Sequence, residues 1–260
     1  MNAVSDEQRR HLDTFGYVVL PAFAPADLLA GLRERLAALF AEEGEAAGSE
    51  FRQEAGTLRL ANLVDKGEVF RRAIAEPAIL ELVGQVLGGD FKLSSLNARS
   101  ANPFNGSSQP LHADGGGVAD ERGAWVCNAV WMIDGFTMEN GPIRAVPGSH
   151  AWRRLPQEAL ADPAAPHPDE VLLTGPAGTI AVMNAHTWHG GTANHTAHPR
   201  CALHAFYCRR DKPQQQYQKR LLRPETQAAL SPQLRHLLAL DDPMNDALTA
   251  GKEGRSGFLK

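Results

Sequence analysis

His112 and Asp114 stand two residues apart in the stretch Gln109-Pro110-Leu111-His112-Ala113-Asp114. On an extended strand alternate side chains share a face, so this spacing sets an imidazole beside a carboxylate, as two ligands of one metal should lie. A third ligand must come from elsewhere in the chain. His189, in Trp188-His189-Gly190-Gly191, is the candidate. Together they would make a two-histidine, one-carboxylate face, which suits Fe(II) and leaves positions open for substrate and dioxygen. The chain has ten histidines, and an H-x-D triplet alone is as readily a surface or hydrogen-bonded pair. Context separates this one. Gly115, Gly116 and Gly117 follow it, leaving room or allowing unusual backbone angles, and His189 is also beside glycines. His186 competes for the third position but lacks that glycine context.

The elements that must position these groups read as short strands framed by helices. Ser5 caps a first helix, with Gln8 three residues on, and the helix ends near Gly16. Tyr17 to Leu20 is a strand. Leu28, Leu29, Leu32, Leu36 and Phe40 recur at helical spacing from Pro25 to about Glu42, a face that should pack on the outside of a sheet. Glu42 to Gly56 reads as a loop. Glu68 to Leu87 is helical, interrupted at Pro77 and stopped by Gly88 and Gly89. Phe91 to Arg99 is a strand with Leu93, Ser95, Asn97 and Arg99 on one face and Leu96 on the other. A turn-rich loop, Asn102 to Pro110, leads into the metal-binding stretch.

Ala124 to Asp134 is an apolar strand in which Asn128 is the odd polar residue. It either satisfies a neighbouring backbone group or faces the pocket. Ile143 to Val146 is a short strand, Trp152 to Pro168 an excursion with a little helix, and Gly178 to Met183 and Ala202 to Arg209 the closing strands. Gln215 to Leu240 reads as helices with Leu234, Leu237 and Leu238 on the apolar face, and the tail after Asn245 as loosely held. The absence of regular strand–helix alternation argues against a parallel sheet and for a mainly β double-sheet jelly roll with flanking α-helices. With no repeat and no domain-sized linker, residues 1–260 read as a single domain.

Composition narrows the function classes. A hydrophobic content of 43% is ordinary for a globular chain. Net charge is −4 with both signs dispersed, so a nucleic-acid partner, which needs a clustered basic face, is not expected. Cys127, Cys201 and Cys208 are an odd, well-separated set and read as buried small hydrophobes, not a disulfide framework or thiolate metal site. Asp6, Glu7, Arg9 and Arg10 precede any apolar run, unlike a signal peptide, and no segment is long enough to span a bilayer. The expectation is a reduced, cytoplasmic protein, monomer or homodimer, with no membrane partner, acting on a small molecule.

Four pieces in this order resemble the phytanoyl-CoA dioxygenase family of Fe(II)/2-oxoglutarate-dependent oxygenases. They are Phe15-Gly16-Tyr17-Val18-Val19-Leu20, Leu111-His112-Ala113-Asp114, Glu139-Asn140-Gly141-Pro142-Ile143-Arg144 through Val146-Pro147-Gly148-Ser149-His150, and Trp188-His189-Gly190-Gly191 through Pro199-Arg200. The resemblance implies a double-stranded β-helix of the cupin-like kind. It implies Fe(II) on His112, Asp114 and His189, with dioxygen and 2-oxoglutarate as co-substrates and succinate and CO2 released. The family places an arginine eleven residues after the distal histidine, the interval from His189 to Arg200. A planar guanidinium can hold the far carboxylate of 2-oxoglutarate bidentately. Taken alone, Arg200 would more readily be read as pairing with a surface acid; the family interval reverses that reading.

Arg59 lies where the family uses a basic residue near the co-substrate, here with arginine in place of lysine. Asn97, Gln109 and Asn128 are amides on or beside expected pocket strands, able to orient a carboxylate or a substrate hydroxyl. For these four a structural role is equally open. His150, His195, His198 and His204 read as ordinary polar or structural residues. Related halogenating enzymes replace the triad carboxylate by a small residue. Asp114 retains it, which implies hydroxylation or another oxygen-derived oxidation. Specificity should lie in Glu42 to Gly56, Gly115 to Gly123 and the excursion after Trp152, which are loops. No basic cluster is set for the phosphates of an acyl-CoA, so a small amino acid, antibiotic or other secondary metabolite is the expected substrate. The rival classes are a non-oxidative Zn or Mn enzyme acting through bound water and an inactive metabolite-binding barrel.

Overall fold

The computed structural model describes residues 3–50 and 55–252. Helix α1, Asp6–Phe15, starts at the capping box Ser5/Gln8 and ends at Gly16 in the left-handed conformation, as expected. Strand β1, Tyr17–Leu20, and helix α2, Ala26–Glu43, follow. Leu28, Leu32, Leu36 and Leu39 of α2 are buried, each contributing roughly 1.5–3 kcal/mol relative to exposure. Strand β2 is Thr57–Leu60. Pro77 splits the next helical region as its sequence demands, into α3, Glu68–Ile74, and α4, Pro77–Leu87, with the proline in the first turn. Strands β3 (Phe91–Ala101), β4 (Val126–Met132) and β5 (Ile143–Ala145) lead to the short helix α5, Pro156–Ala159. Then come β6 (Val171–Leu173), β7 (Ile180–Asn184), β8 (His189–Gly191) and β9 (Arg200–Arg209). Four short helices close the described chain: α6 (Gln218–Leu221), α7 (Pro224–Ala228), α8 (Pro232–Leu237) and α9 (Pro243–Thr249).

The strands form two antiparallel sheets, β1-β7-β4-β9-β3-β2 and β6-β5-β8. This is the expected jelly roll. One face of the larger sheet carries Cys127, Ala129, Trp131, Ile180, Val182, Leu203, Ala205 and Tyr207 into the main core with α2, α3 and α4. The alternate residues, Val130, Met132, Ala181 and Ala202, turn the other way and meet Ile143, Ala145 and Leu173 of the smaller sheet. Residues between the sheets therefore have the period of two that a half-covered strand requires. Among the described residues no helix is long and apolar enough to cross a membrane.

Three local expectations are corrected. Leu93 does not share a face with Ser95, Asn97 and Arg99. The β3–β9 register shifts between Leu93 and Ser95, and Leu93 joins Leu96 and Ala98 in the core. The unpaired Ser94 is taken up by the glutamine run: its carbonyl accepts from Gln216 N (2.9 Å) and its hydroxyl from Gln215 N (2.9 Å), so helix starts only at Gln218. The stretch after Asn245 is held in α9 up to Thr249. Asn245 is fully buried, accepting from Lys92 Nζ at 2.8 Å and donating to Gln214 at 2.8 Å. Residues 253–260 of that tail, and 51–54 of the expected loop, lie outside the described residues. Finally, Thr57–Leu60 is a strand, so Arg59 sits in the sheet, directly opposite Arg99.

Candidate active site

His112 and His189 face each other across an isolated antiparallel bridge, N to O at 2.9 and 3.0 Å. The backbone is extended through Ala113 and then breaks, so the expected strand does not reach Asp114. Asp114 opens a short 3-10 turn with Gly115 at φ +73°, and its N–H donates to Ala185 O at 2.8 Å. A side chain at Gly115 would lie 2.1 Å from the Trp125 ring, so this turn needs glycine for space as well as for backbone angle. Strand β8 is equally constrained: a Cβ on Gly190 would come within 2.9 Å of Gln109 O.

The two imidazoles are oriented alike. His112 Nδ1 lies 2.9 Å from Pro110 O, and His189 Nδ1 lies 2.8 Å from Thr187 O. A ring nitrogen against a carbonyl carries the hydrogen, which leaves each Nε2 as a bare lone pair. Those nitrogens stand 3.7 and 3.6 Å from the Asp114 carboxylate oxygens. The three ligand atoms fall within 4.8 Å of one another. Burial opposes the Asp114 charge, but His189 and His112 outweigh it and hold the carboxyl at about 2. Burial and the neighbouring His189 lower the His112 pKa. Burial also opposes charge on His189, yet the Asp114 carboxylate raises its pKa above the usual imidazole value. An ionised carboxylate and two convergent lone pairs are the donor set that Fe(II) takes, so the residues fit the ion. His189 is 7% exposed whereas His112 and Asp114 are half-buried, so the face opens on the His112 side.

Arg200 begins β9 and is 6% exposed. Its Nη2 donates to Gly141 O at 2.5 Å, its Nε to Asn140 O at 3.4 Å, and its guanidinium stacks on Phe136 at 4.1 Å. The Asn140-Gly141 piece thus seats the arginine. Among the described residues no carboxylate lies within ion-pair distance of it. Burial, helped by Arg99, brings its pKa down to about 10. A buried guanidinium with free donors and no acid fits the carboxylate of a dicarboxylate co-substrate.

The remaining candidates divide. Asn97 lies between the sheets but is engaged, accepting from Gln216 Nε2 at 2.6 Å. Gln109 is likewise engaged, its Oε1 accepting from Gly191 N at 2.9 Å. Asn128 faces the site: Nδ2 is 3.5 Å from Asp114 Oδ2 and Oδ1 is buried without a partner. Arg59 and Arg99 face the interior, where both act on His204. Both ring nitrogens of His186 are engaged by the chain. The residue is 2% exposed, its Nδ1 bonds Gly117 O at 2.9 Å, and its Nε2 accepts from Trp125 N at 3.3 Å, tying down the turn behind Asp114. Ser149 of the Pro-Gly-Ser-His piece accepts from Trp188 N at 2.8 Å, fixing the residue before His189.

His204, which reads as an ordinary polar residue in the sequence, lies on the interior face of β9 four residues after Arg200. The alternation of Arg200, Ala202 and His204 was the available signal.

A jelly roll carrying a two-histidine, one-carboxylate face with a buried arginine beyond it defines the class of non-haem iron oxygenases. The chain belongs to the phytanoyl-CoA dioxygenase family, whose model, Phytanoyl-CoA dioxygenase (PhyH), matches residues 12–202. The protein is a 2-oxoglutarate-dependent dioxygenase that uses Fe(II) and dioxygen. It is 30% identical to dioxygenase af480 of Aspergillus fumigatus over 245 residues, 90% of this chain and 77% of that one. It is 28% identical to L-proline trans-4-hydroxylase of Streptomyces griseoviridis over 176 residues, 56% of this chain and 65% of that enzyme. The crystal structure of EctD from S. alaskensis with 2-oxoglutarate and 5-hydroxyectoine has the same fold. Its TM-score is 0.66 at 22% identity, covering 80% of this chain and 77% of that one.

Proposed function

We propose that His112, Asp114 and His189 hold Fe(II), that Arg200 holds the far carboxylate of 2-oxoglutarate, and that the enzyme hydroxylates a small polar metabolite of specialised metabolism. The observation that carries this reading is the pair of Nδ1–carbonyl bonds, which turn both Nε2 atoms onto the Asp114 carboxylate. Bound there, Fe(II) and 2-oxoglutarate supply the electrons that activate dioxygen, with succinate and CO2 as products and one oxygen atom passed to substrate. The chain's own residues do the rest. The carbonyls of Pro110 and Thr187 hold the hydrogen of each imidazole on Nδ1 and aim both Nε2 atoms at the metal position. Asn128 donates toward Asp114 and steadies it. Arg59 adds positive charge near the co-substrate, while Asn97 and Gln109 serve as scaffolding around it. The half-buried side at His112 admits the substrate, and the turn at Gly115 to Gly123 with the excursion after Trp152 reads it.

Hydroxylation fits the retained Asp114 carboxylate. A small polar substrate fits the similarity to an L-proline hydroxylase and to an ectoine dioxygenase of Halomonas elongata, 26% identical over 77% of this chain. We take residues 1–260 as one domain, acting as a monomer or homodimer in the cytoplasm, without a nucleic-acid or membrane partner. The test is succinate formation from 2-oxoglutarate. His112→Ala, Asp114→Ala and His189→Ala should each abolish Fe(II)-dependent turnover in folded protein. Turnover that persists in any of them, or that runs equally on Zn(II), would overturn the ligand assignment.

A further inference from the structure

We propose that His204 is a binding residue for 2-oxoglutarate, donating its Nε2 hydrogen to a carboxylate oxygen of the co-substrate inside the barrel. This rests on the reading that the triad and Arg200 hold metal and co-substrate. His204 stands mid-sheet, opposite Asn97 of β3 on one side and Val130 of β4 on the other. Its neighbours Leu203 and Ala205 point into the main core, so its ring points between the sheets, on the Arg200 face.

Strand order places it along the barrel. The interior face of β9 runs Arg200, Ala202, His204, Phe206, and Phe206 pairs with Asn128, whose Nδ2 lies 3.5 Å from Asp114, so His204 stands between Arg200 and the metal face. The positive charges of Arg99, Arg59 and Arg200 oppose a charge on its ring, and Asp114 favours one. Burial, reinforced by those three arginines, pushes its pKa down to about 3 and keeps the ring neutral. A neutral imidazole carries one hydrogen. Nε2 is buried and has no hydrogen-bond partner. With that hydrogen on Nε2, the ring is a donor aimed into a space where the described residues offer it no acceptor. The ionised co-substrate offers only acceptors. It would span from Arg200 to the metal, past this ring.

Calorimetric titration of 2-oxoglutarate into anaerobic, Fe(II)-loaded protein tests this without turnover. The hydrogen bond is to a charged group, so His204→Phe should weaken binding by about tenfold or more, with iron affinity unchanged. His204→Gln, which restores an N–H donor, should recover part of the loss. Ligand-free His204→Phe should unfold at or above the wild-type temperature, because it removes a buried donor that has no partner. Should the phenylalanine variant fail to fold, His204→Leu carries the same binding expectation. An affinity within about twofold of wild type overturns the proposal, as does a loss that glutamine leaves unrepaired. Arg200→Ala runs beside them as the control. If it weakens binding and His204→Phe does not, this inference alone fails. If the wild type binds no 2-oxoglutarate, the underlying assignment fails first.

Discussion

Replacing Arg200 by alanine removes a 6%-exposed guanidinium that is bonded to two main-chain carbonyls and, among the described residues, to no acid. The co-substrate carboxylate would then be buried without its cation. Breaking one side of a buried pair costs roughly 3–5 kcal/mol. At about 1.4 kcal/mol per tenfold, affinity for 2-oxoglutarate should fall by two to four powers of ten. Arg99 lies close enough to depress the Arg200 pKa, so its charge also reaches this carboxylate, and the smaller end of that range is expected. Arg200→Lys should recover part of the loss, since the charge survives without the bidentate fork. The assay is a 2-oxoglutarate titration of both variants at saturating Fe(II), read by succinate. A change under about threefold for Arg200→Ala, well below 1 kcal/mol, would refute the reasoning and move the anchor to Arg99 or Arg59.

Two further outcomes follow from the turn behind Asp114. Gly115→Ala puts a Cβ 2.1 Å from the Trp125 ring at φ +73° and should cost at least about 2 kcal/mol of stability while weakening iron binding; a variant with wild-type melting and metal affinity would contradict the geometry. His186→Ala should lose about 1–3 kcal/mol, read by denaturant unfolding, because it strands the Gly117 carbonyl and the Trp125 amide, yet still bind one iron; loss of the iron in folded protein would make His186 a ligand.

Where the sequence carried a local cause, the fold was legible in it. The Ser5/Gln8 box, the break at Pro77 and the leucine stripe of α2 each act within a few residues and appear where expected. Effects set by distant partners were not legible. The shift at Ser94 in β3 depends on glutamines about 120 residues later, and α9 is fixed by the buried Lys92 of that same strand. Strand β8 carries two glycines and no strand pattern of its own, yet those glycines let it pack against Gln109 and Pro110. In the site, spacing and glycine context marked His112, Asp114 and His189, whose ligand atoms fall within 4.8 Å of one another, whereas Arg200 was marked only by the family resemblance. The roles of His186 and His204 depend on what faces them in three dimensions, and their histidine identity says nothing of that.

The central claim is that three named side chains hold one iron beside one arginine-bound co-substrate. Crystals grown anaerobically with Fe(II) and 2-oxoglutarate, measured at the iron absorption edge, test it most directly. The account predicts one anomalous peak per chain, bonded to His112 Nε2, His189 Nε2 and an Asp114 oxygen, with the far carboxylate of 2-oxoglutarate on Arg200. A peak on His186 instead of His189, or a co-substrate carboxylate on any other cation, would contradict it.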